Sequence, residues 1–145
     1  MALILAADDE PAAREILTRV LTEAGHRVLA VPDGETALRA FREHRPDLVL
    51  TDVDMPLING FLLCDEIRRD PDRPHTPVVL VTGVIDPRDH RAREVGVSAV
   101  LVKPFGPADL LTTVAGYLRP GAGPPPLAAA GPAGAPGRAD PAAGA

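Results

Sequence analysis

Four of the five apolar runs in this 145-residue sequence end on residues that can do chemistry. Asp8, Asp9 and Glu10 follow the first run, and Asp52, Val53, Asp54, Met55 and Pro56 follow the third. Thr82-Gly83 ends the fourth, and Lys103-Pro104 ends the fifth. Carboxylates brought to one spot repel each other unless a cation neutralises them. A hard divalent ion with oxygen ligands does this, and Mg²⁺ suits a site that also handles phosphate. A lysine opposite pairs with an acid when the site is unloaded and with a phosphoryl group when it is loaded. A hydroxyl at Thr82 can donate to a phosphoryl oxygen, and Gly83 leaves room beside it. Lys103 is the single lysine among 15 basic residues, the rest being arginine. That usage marks a position that wants a compact ammonium rather than a planar fork.

Other chemistries lack their motifs. No G-x-G-x-x-G follows the first run and no G-x-x-x-x-G-K-[ST] occurs, and Asp8 and Asp9 would repel bare nucleotide phosphates. The only serine, Ser98, stands in VGVSA, which is not a G-x-S-x-G elbow. The four histidines are scattered, with no HExxH and no CxxC, so a zinc site has no support. His75 and His90 read as solvated. The one cysteine, Cys64, cannot close an internal disulfide and reads as a packed apolar residue, consistent with a reducing compartment. A net charge of -5 argues against a broad nucleic-acid-binding surface. With 46% apolar and 24% charged residues the chain can bury a core without disulfides. No apolar run reaches membrane-spanning length, and MALILAADDE has no basic n-region, so a cytoplasmic protein without membrane insertion is expected.

The elements that must position these residues read as follows. Strands are expected over 2–7, 27–31, 47–51, 77–82 and 99–102, nearly continuous in apolar residues, as suits strands buried on both faces of a parallel sheet. Helices are expected over about 11–24, starting at Asp33 as N-cap and carrying Ala37, Leu38 and Phe41, starting near Asn59 and carrying Leu63, Cys64 and Ile67, over 86–95 and over 107–118. Five strand–helix units give an α/β architecture, a five-stranded parallel sheet with helices on both faces. Sites in such folds lie beyond the carboxyl ends of the strands, which is where the acids, Thr82 and Lys103 stand. From Pro120 onward the composition changes to 7 Pro, 6 Gly and 10 Ala in 26 residues. Such a segment cannot offset its ordering entropy, so residues 1–119 are expected as the domain and 120–145 as a disordered tail.

Taken together, ADDE at 7–10, LVLTDVDMP at 48–56, NG at 59–60, VTG at 81–83 and VKPF at 102–105 resemble the response-regulator receiver domains of two-component and phosphorelay signalling. The resemblance covers residues 1–119. It implies a flavodoxin-like (βα)₅ doubly wound sheet in strand order 2-1-3-4-5. It makes Asp52 the phosphoacceptor. Asp9, the Asp52 side chain and the backbone carbonyl of Asp54 would bind Mg²⁺ (or Mn²⁺), with Asp8 assisting through water. Thr82 would sense the phosphoryl group beside Gly83, Lys103 would bind it, and the Lys103–Pro104 peptide would be cis. The phosphoryl donor would be a sensor histidine kinase or a histidine phosphotransfer protein. Asp54, with its carboxylate free of the metal, would tune phosphorylation and hydrolysis rates.

The pattern departs from the family at one place. Three residues before the lysine, receivers usually carry an aromatic side chain, and here Val100 stands.

The leading expectation is a stand-alone receiver. It would be no enzyme beyond self-catalysed phosphoryl transfer and autodephosphorylation, and it would bind a downstream protein through the fourth helix, fifth strand and fifth helix, without direct nucleic-acid contact. Arg88, Arg91 and Arg93 on that fourth helix belong either to this interface or to a solvated face. An alternative is a receiver-like interaction module with impaired switching. A remote alternative is a phosphatase, because Asp52-x-Asp54 is similar to the haloacid dehalogenase D-x-D motif. There, however, the D-x-D comes first in the chain and the acid pair last.

Overall fold

The computed structural model describes residues 2–83, 94–118 and 128–130. The described elements follow in the order β1 (Leu3–Ala7), α1 (Pro11–Glu23), β2 (Arg27–Val31), α2 (Gly34–His44), β3 (Leu48–Thr51), α3 (Gly60–Arg68), β4 (Val78–Thr82), β5 (Ala99–Val102) and α4 (Pro107–Leu118). A three-residue strand, β6 (Ala128–Ala130), follows. All pairings are parallel, in the order β2-β1-β3-β4-β5-β6.

The expected order 2-1-3-4-5 is present, with one strand added at the β5 edge. That strand lies within 120–145, the rest of which falls outside the described residues. The edge of β5 offers unpaired backbone N–H and C=O groups, and pairing to them needs no bulky side chains. The helix expected over 86–95, with Arg88, His90, Arg91 and Arg93, falls almost wholly on 84–93, outside the described residues.

Local chemistry explains the boundaries. Pro11 opens α1 with its fixed φ and no wasted N–H, and Gly25, at φ 97°, turns the chain out of it. Asp33 caps α2 by accepting the Thr36 N–H at 2.7 Å, and Asn59 caps α3 by accepting the Leu62 N–H at 2.9 Å.

Every residue of β3 and β4 is buried, as the continuous apolar runs predict. The two-residue period of a strand divides the core into layers. Leu5, Ala7, Val49 and Leu80 face Phe41, Cys64 and Ile67 of α2 and α3. Ile4, Ala6, Leu48, Leu50 and Val79 face Leu17 and Leu21 of α1 and Leu110 and Val114 of α4. Full burial of such side chains contributes about 1.5–3 kcal/mol each. This two-sided core fixes the strands, and their carboxyl ends project from one edge.

Candidate functional site

At that edge, one ligand oxygen from each of Asp8, Asp9 and Asp52 lies within 4.8 Å of the others. Asp8 and Asp52 are buried and Asp9 is exposed. Lys103 faces them, its Nζ 3.2 Å from Asp8 Oδ2 and 3.7 Å from Asp52 Oδ2. The four groups come from three strand ends and are separated by up to 95 positions in sequence.

The backbone holds each group in place. The Asp8 N–H donates to Val31 O at 3.1 Å, and the Asp52 N–H donates to Ala7 O at 2.9 Å, so β1 sits between β2 and β3 with both acids in register. Asp52 Oδ1 accepts the Val53 N–H at 2.7 Å. Thr51 Oγ1 donates to Asp52 O at 2.9 Å. The Lys103 N–H donates to Thr82 O at 3.0 Å, which fixes the lysine beside the end of β4. Thr82 is buried, whereas Gly83 is exposed. A Cβ on Gly83 would lie 3.6 Å from Lys103 Cβ, so this side of the site has space. The Lys103–Pro104 peptide is cis.

The electrostatics follow from burial and proximity. Burial raises the Asp52 carboxyl above the ordinary aspartate value; Lys103 opposes that rise, and the Asp8 charge adds to it. Burial works against the Lys103 ammonium, but Asp52 and then Asp8 hold its pKa above the usual lysine value. The donor set is wholly carboxylate, with no thiol or imidazole, and fits a hard divalent cation such as Mg²⁺.

The sequence-predicted residues Asp8, Asp9, Asp52 and Lys103 are thus brought together, and Thr82 and Gly83 stand next to Lys103. Asp54 is exposed, and its carboxylate is not among the three converging oxygens. Val100 is half-buried and packs against the core layer on the α2–α3 side. Two contributors are not among the expected site residues. Thr51 donates to the Asp52 carbonyl, and Arg14 of α1, seven residues before the buried Leu21, donates from Nη1 to the Asp8 carbonyl at 2.8 Å.

The family model for the response regulator receiver domain matches residues 4–115. The chain belongs to this family. Receivers are regulatory domains of response regulators, and the parallel sheet with its acid-and-lysine edge agrees with that membership. Among curated relatives, the chain is 40% identical over 117 residues to a probable transcriptional regulator, ycf27, of Galdieria sulphuraria, covering 80% of this chain and 45% of that protein. The receiver thus spans about half the length of this relative. Among solved structures it is similar to the chemotaxis response regulator CheY4 of Vibrio cholerae, with TM-score 0.77, 34% identity and coverage of 81% of this chain and 99% of that one. It is also similar to the receiver domain of a sensor histidine kinase of Pseudomonas aeruginosa (TM-score 0.75, 27% identity, 81% and 97% coverage). That structure has a magnesium ion coordinated in its active-site cleft. No described helix is long and apolar enough to cross a membrane.

Proposed function

We propose that residues 1–119 form a Mg²⁺-dependent phosphorylation switch with Asp52 as phosphoacceptor. The observation that carries this reading is the convergence of Asp8, Asp9 and Asp52 within 4.8 Å, with Lys103 bridging two of them. The Asp8, Asp9 and Asp52 carboxylates and the Asp54 backbone carbonyl would hold the cation. When bound, the cation supplies positive charge beside the phosphoryl oxygens.

The chain's own residues do the rest. Asp52 Oδ1 is engaged by the Val53 N–H, so Oδ2, turned toward Lys103, is the attacking oxygen. It attacks the phosphorus of a phosphohistidine on a sensor kinase or phosphotransfer protein. The P–N bond breaks, the imidazole leaves, and Asp52 becomes an acyl phosphate. Lys103 then exchanges its carboxylate partners for phosphoryl oxygens, a charge-assisted contact that needs no new charge in the site. Thr82 donates its hydroxyl to the same group, and Gly83 leaves the approach open. In hydrolysis, water attacks phosphorus, the Asp52 O–P bond breaks, and inorganic phosphate departs with the carboxylate restored. These steps rest on positioning and electrostatics, as phosphoryl transfer generally does. The Asp54 carboxylate, exposed at the lip, slows attack by anionic donors, so Asp54→Asn phosphorylates faster.

The output is binding to a protein partner through the surface around β5 and α4. The protein acts in the cytoplasm, where kinase and partner are available. The relative's name as a transcriptional regulator favours a second reading, in which the same switch governs a DNA-binding function. Val100 favours a third, an interaction module whose switching is impaired.

Intact mass after incubation with acetyl phosphate and Mg²⁺ tests the main reading. A gain of one phosphoryl group, absent in Asp52→Asn and absent without metal, is expected. No gain from acetyl phosphate or from a phosphohistidine donor, together with failure to bind beryllofluoride, would overturn it in favour of the interaction module.

A further inference from the structure

We infer that Arg14 is a positioning residue for the acidic loop. Its side chain pins the Asp8 carbonyl and so keeps the Asp8 and Asp9 carboxylates turned to one point. The inference rests on the reading of Asp8, Asp9 and Asp52 as a divalent-cation site.

Asp8 is tied at every polar atom. Its N–H donates to Val31 O at 3.1 Å, its Oδ1 accepts the Glu10 N–H at 3.0 Å, and its Oδ2 faces Lys103 Nζ at 3.2 Å. The remaining atom, the carbonyl oxygen, accepts from Arg14 Nη1 at 2.8 Å. The first three ties come from the sheet, the turn itself and Lys103; only the fourth reaches α1. The turn needs such a tie. Glu10, the N-cap of α1, makes no side-chain cap hydrogen bond, and Pro11 at the start of the helix has no N–H. The carboxylates held by this turn repel each other before any cation arrives.

Arg14 directs its hydrogen bond to a carbonyl and forms no ion pair among the described residues. Charge and position therefore make opposite demands. As a nearby positive charge alone, Arg14 would repel a divalent cation, and its removal would tighten metal binding. As a pin for the loop, its removal weakens binding.

The test uses Mn²⁺ titration followed by electron paramagnetic resonance of the free ion, on the full chain. Loss of one hydrogen bond from a charged donor predicts roughly a tenfold weaker Mn²⁺ affinity in Arg14→Ala. Arg14→Lys, which keeps a charged donor at similar reach, is expected to recover most of that loss. In metal-free protein the Glu10 amide, held by Asp8 Oδ1, is expected to exchange with solvent several-fold faster in Arg14→Ala than in the parent. Unchanged or tighter Mn²⁺ binding by Arg14→Ala would overturn the inference, as would a lysine variant as weak as the alanine. Unchanged Glu10 exchange would overturn it even if the parent bound no metal, an outcome that separately refutes the cation site.

Discussion

Replacing Gly60 by alanine separates the stability of this fold from the precision of its site. Gly60 opens α3, and a Cβ there would lie 2.5 Å from Asp52 O, 3.0 Å from Val53 Cα and 3.2 Å from Asp52 C. All three are backbone atoms of the strand end that carries Asp52, so no flexible side chain can give way. Reaching ordinary contact at 3.4 Å requires the Asp52 carbonyl and α3 to separate by about 0.9 Å. The Gly60 N–H also donates to Val53 O at 3.0 Å, and that bond stretches with the displacement. Alanine gains about 0.4–1 kcal/mol through the unfolded chain and helix propensity. The overlap costs about 1–3 kcal/mol. The net destabilisation is therefore modest, about 0–2.6 kcal/mol, or up to about 10 °C in melting temperature for a domain of this size. The chemical effect is larger, because a misplacement near 1 Å costs on the order of 100-fold in rate. Phosphorylation from acetyl phosphate with Mg²⁺, read by intact mass over time, is expected to slow by about that factor while thermal unfolding stays cooperative. Gly116→Ala in α4 is the control: a Cβ there has nothing within 4 Å. Parental phosphorylation kinetics in Gly60→Ala would refute the reasoning.

Three further outcomes follow from other contacts. Arg68 of α3 donates to Gly96 O at 2.8 and 3.0 Å, to Pro74 O at 3.0 Å and to Thr76 O at 2.6 Å, so Arg68→Met orphans several carbonyls and is expected to lose about 3 kcal/mol in denaturant unfolding, with Mn²⁺ affinity within twofold of the parent. The Asp33 cap bonds hold that carboxyl below the usual aspartate value of 3.8; its contribution is therefore full above the unfolded pKa and is lost as pH falls through the lower folded value. Asp33→Ala is expected to cost about 1 kcal/mol at neutral pH and to flatten acid unfolding below pH 4, which urea melts across pH measure. Burial pushes the Cys64 thiol up to about 11, so it is expected to resist thiol-specific reagents in native protein and to react fully in denaturant.

The features that were legible in the sequence share a physical cause. Strands buried on both faces must be apolar almost throughout, so 47–51 and 77–82 announce β3 and β4 without any partner in view. A βαβ crossover has one favoured hand and sends the carboxyl ends of all strands to one edge. The acids after β1 and β3 and the lysine after β5 must then meet, and the structure brings them within ion-pair range. The caps at Asp33 and Asn59 were readable because they act within three residues.

What stayed hidden acts through backbone or across sequence distance. The third strand residue Thr51 looks like any β-former, yet its hydroxyl donates to Asp52 O. Arg68 stands in a run of charges, Arg68-Arg69-Asp70, and is not among the residues singled out from the sequence. Its side chain bonds carbonyls up to 28 positions away, and burial lowers its pKa. Neighbouring Arg69 does the expected thing and pairs with Asp65 four residues earlier, an exposed contact worth little. Nothing in the local sequence separates these two arginines. Their difference is decided by helical phase: Ile67 and Cys64 define the buried side of α3, and Arg68 lies at its margin, where a long stem can pass inward while its head finds carbonyl oxygens. The same reasoning applies to Arg14. It lies three residues before Leu17 and seven before Leu21, so it shares the inward stripe of α1 and its guanidinium reaches the Asp8 carbonyl at the base of the site. An arginine on the buried stripe of a helix that follows a functional strand end is therefore a candidate pin for that loop, a pattern that helical phase makes readable once the strand end itself has been recognised.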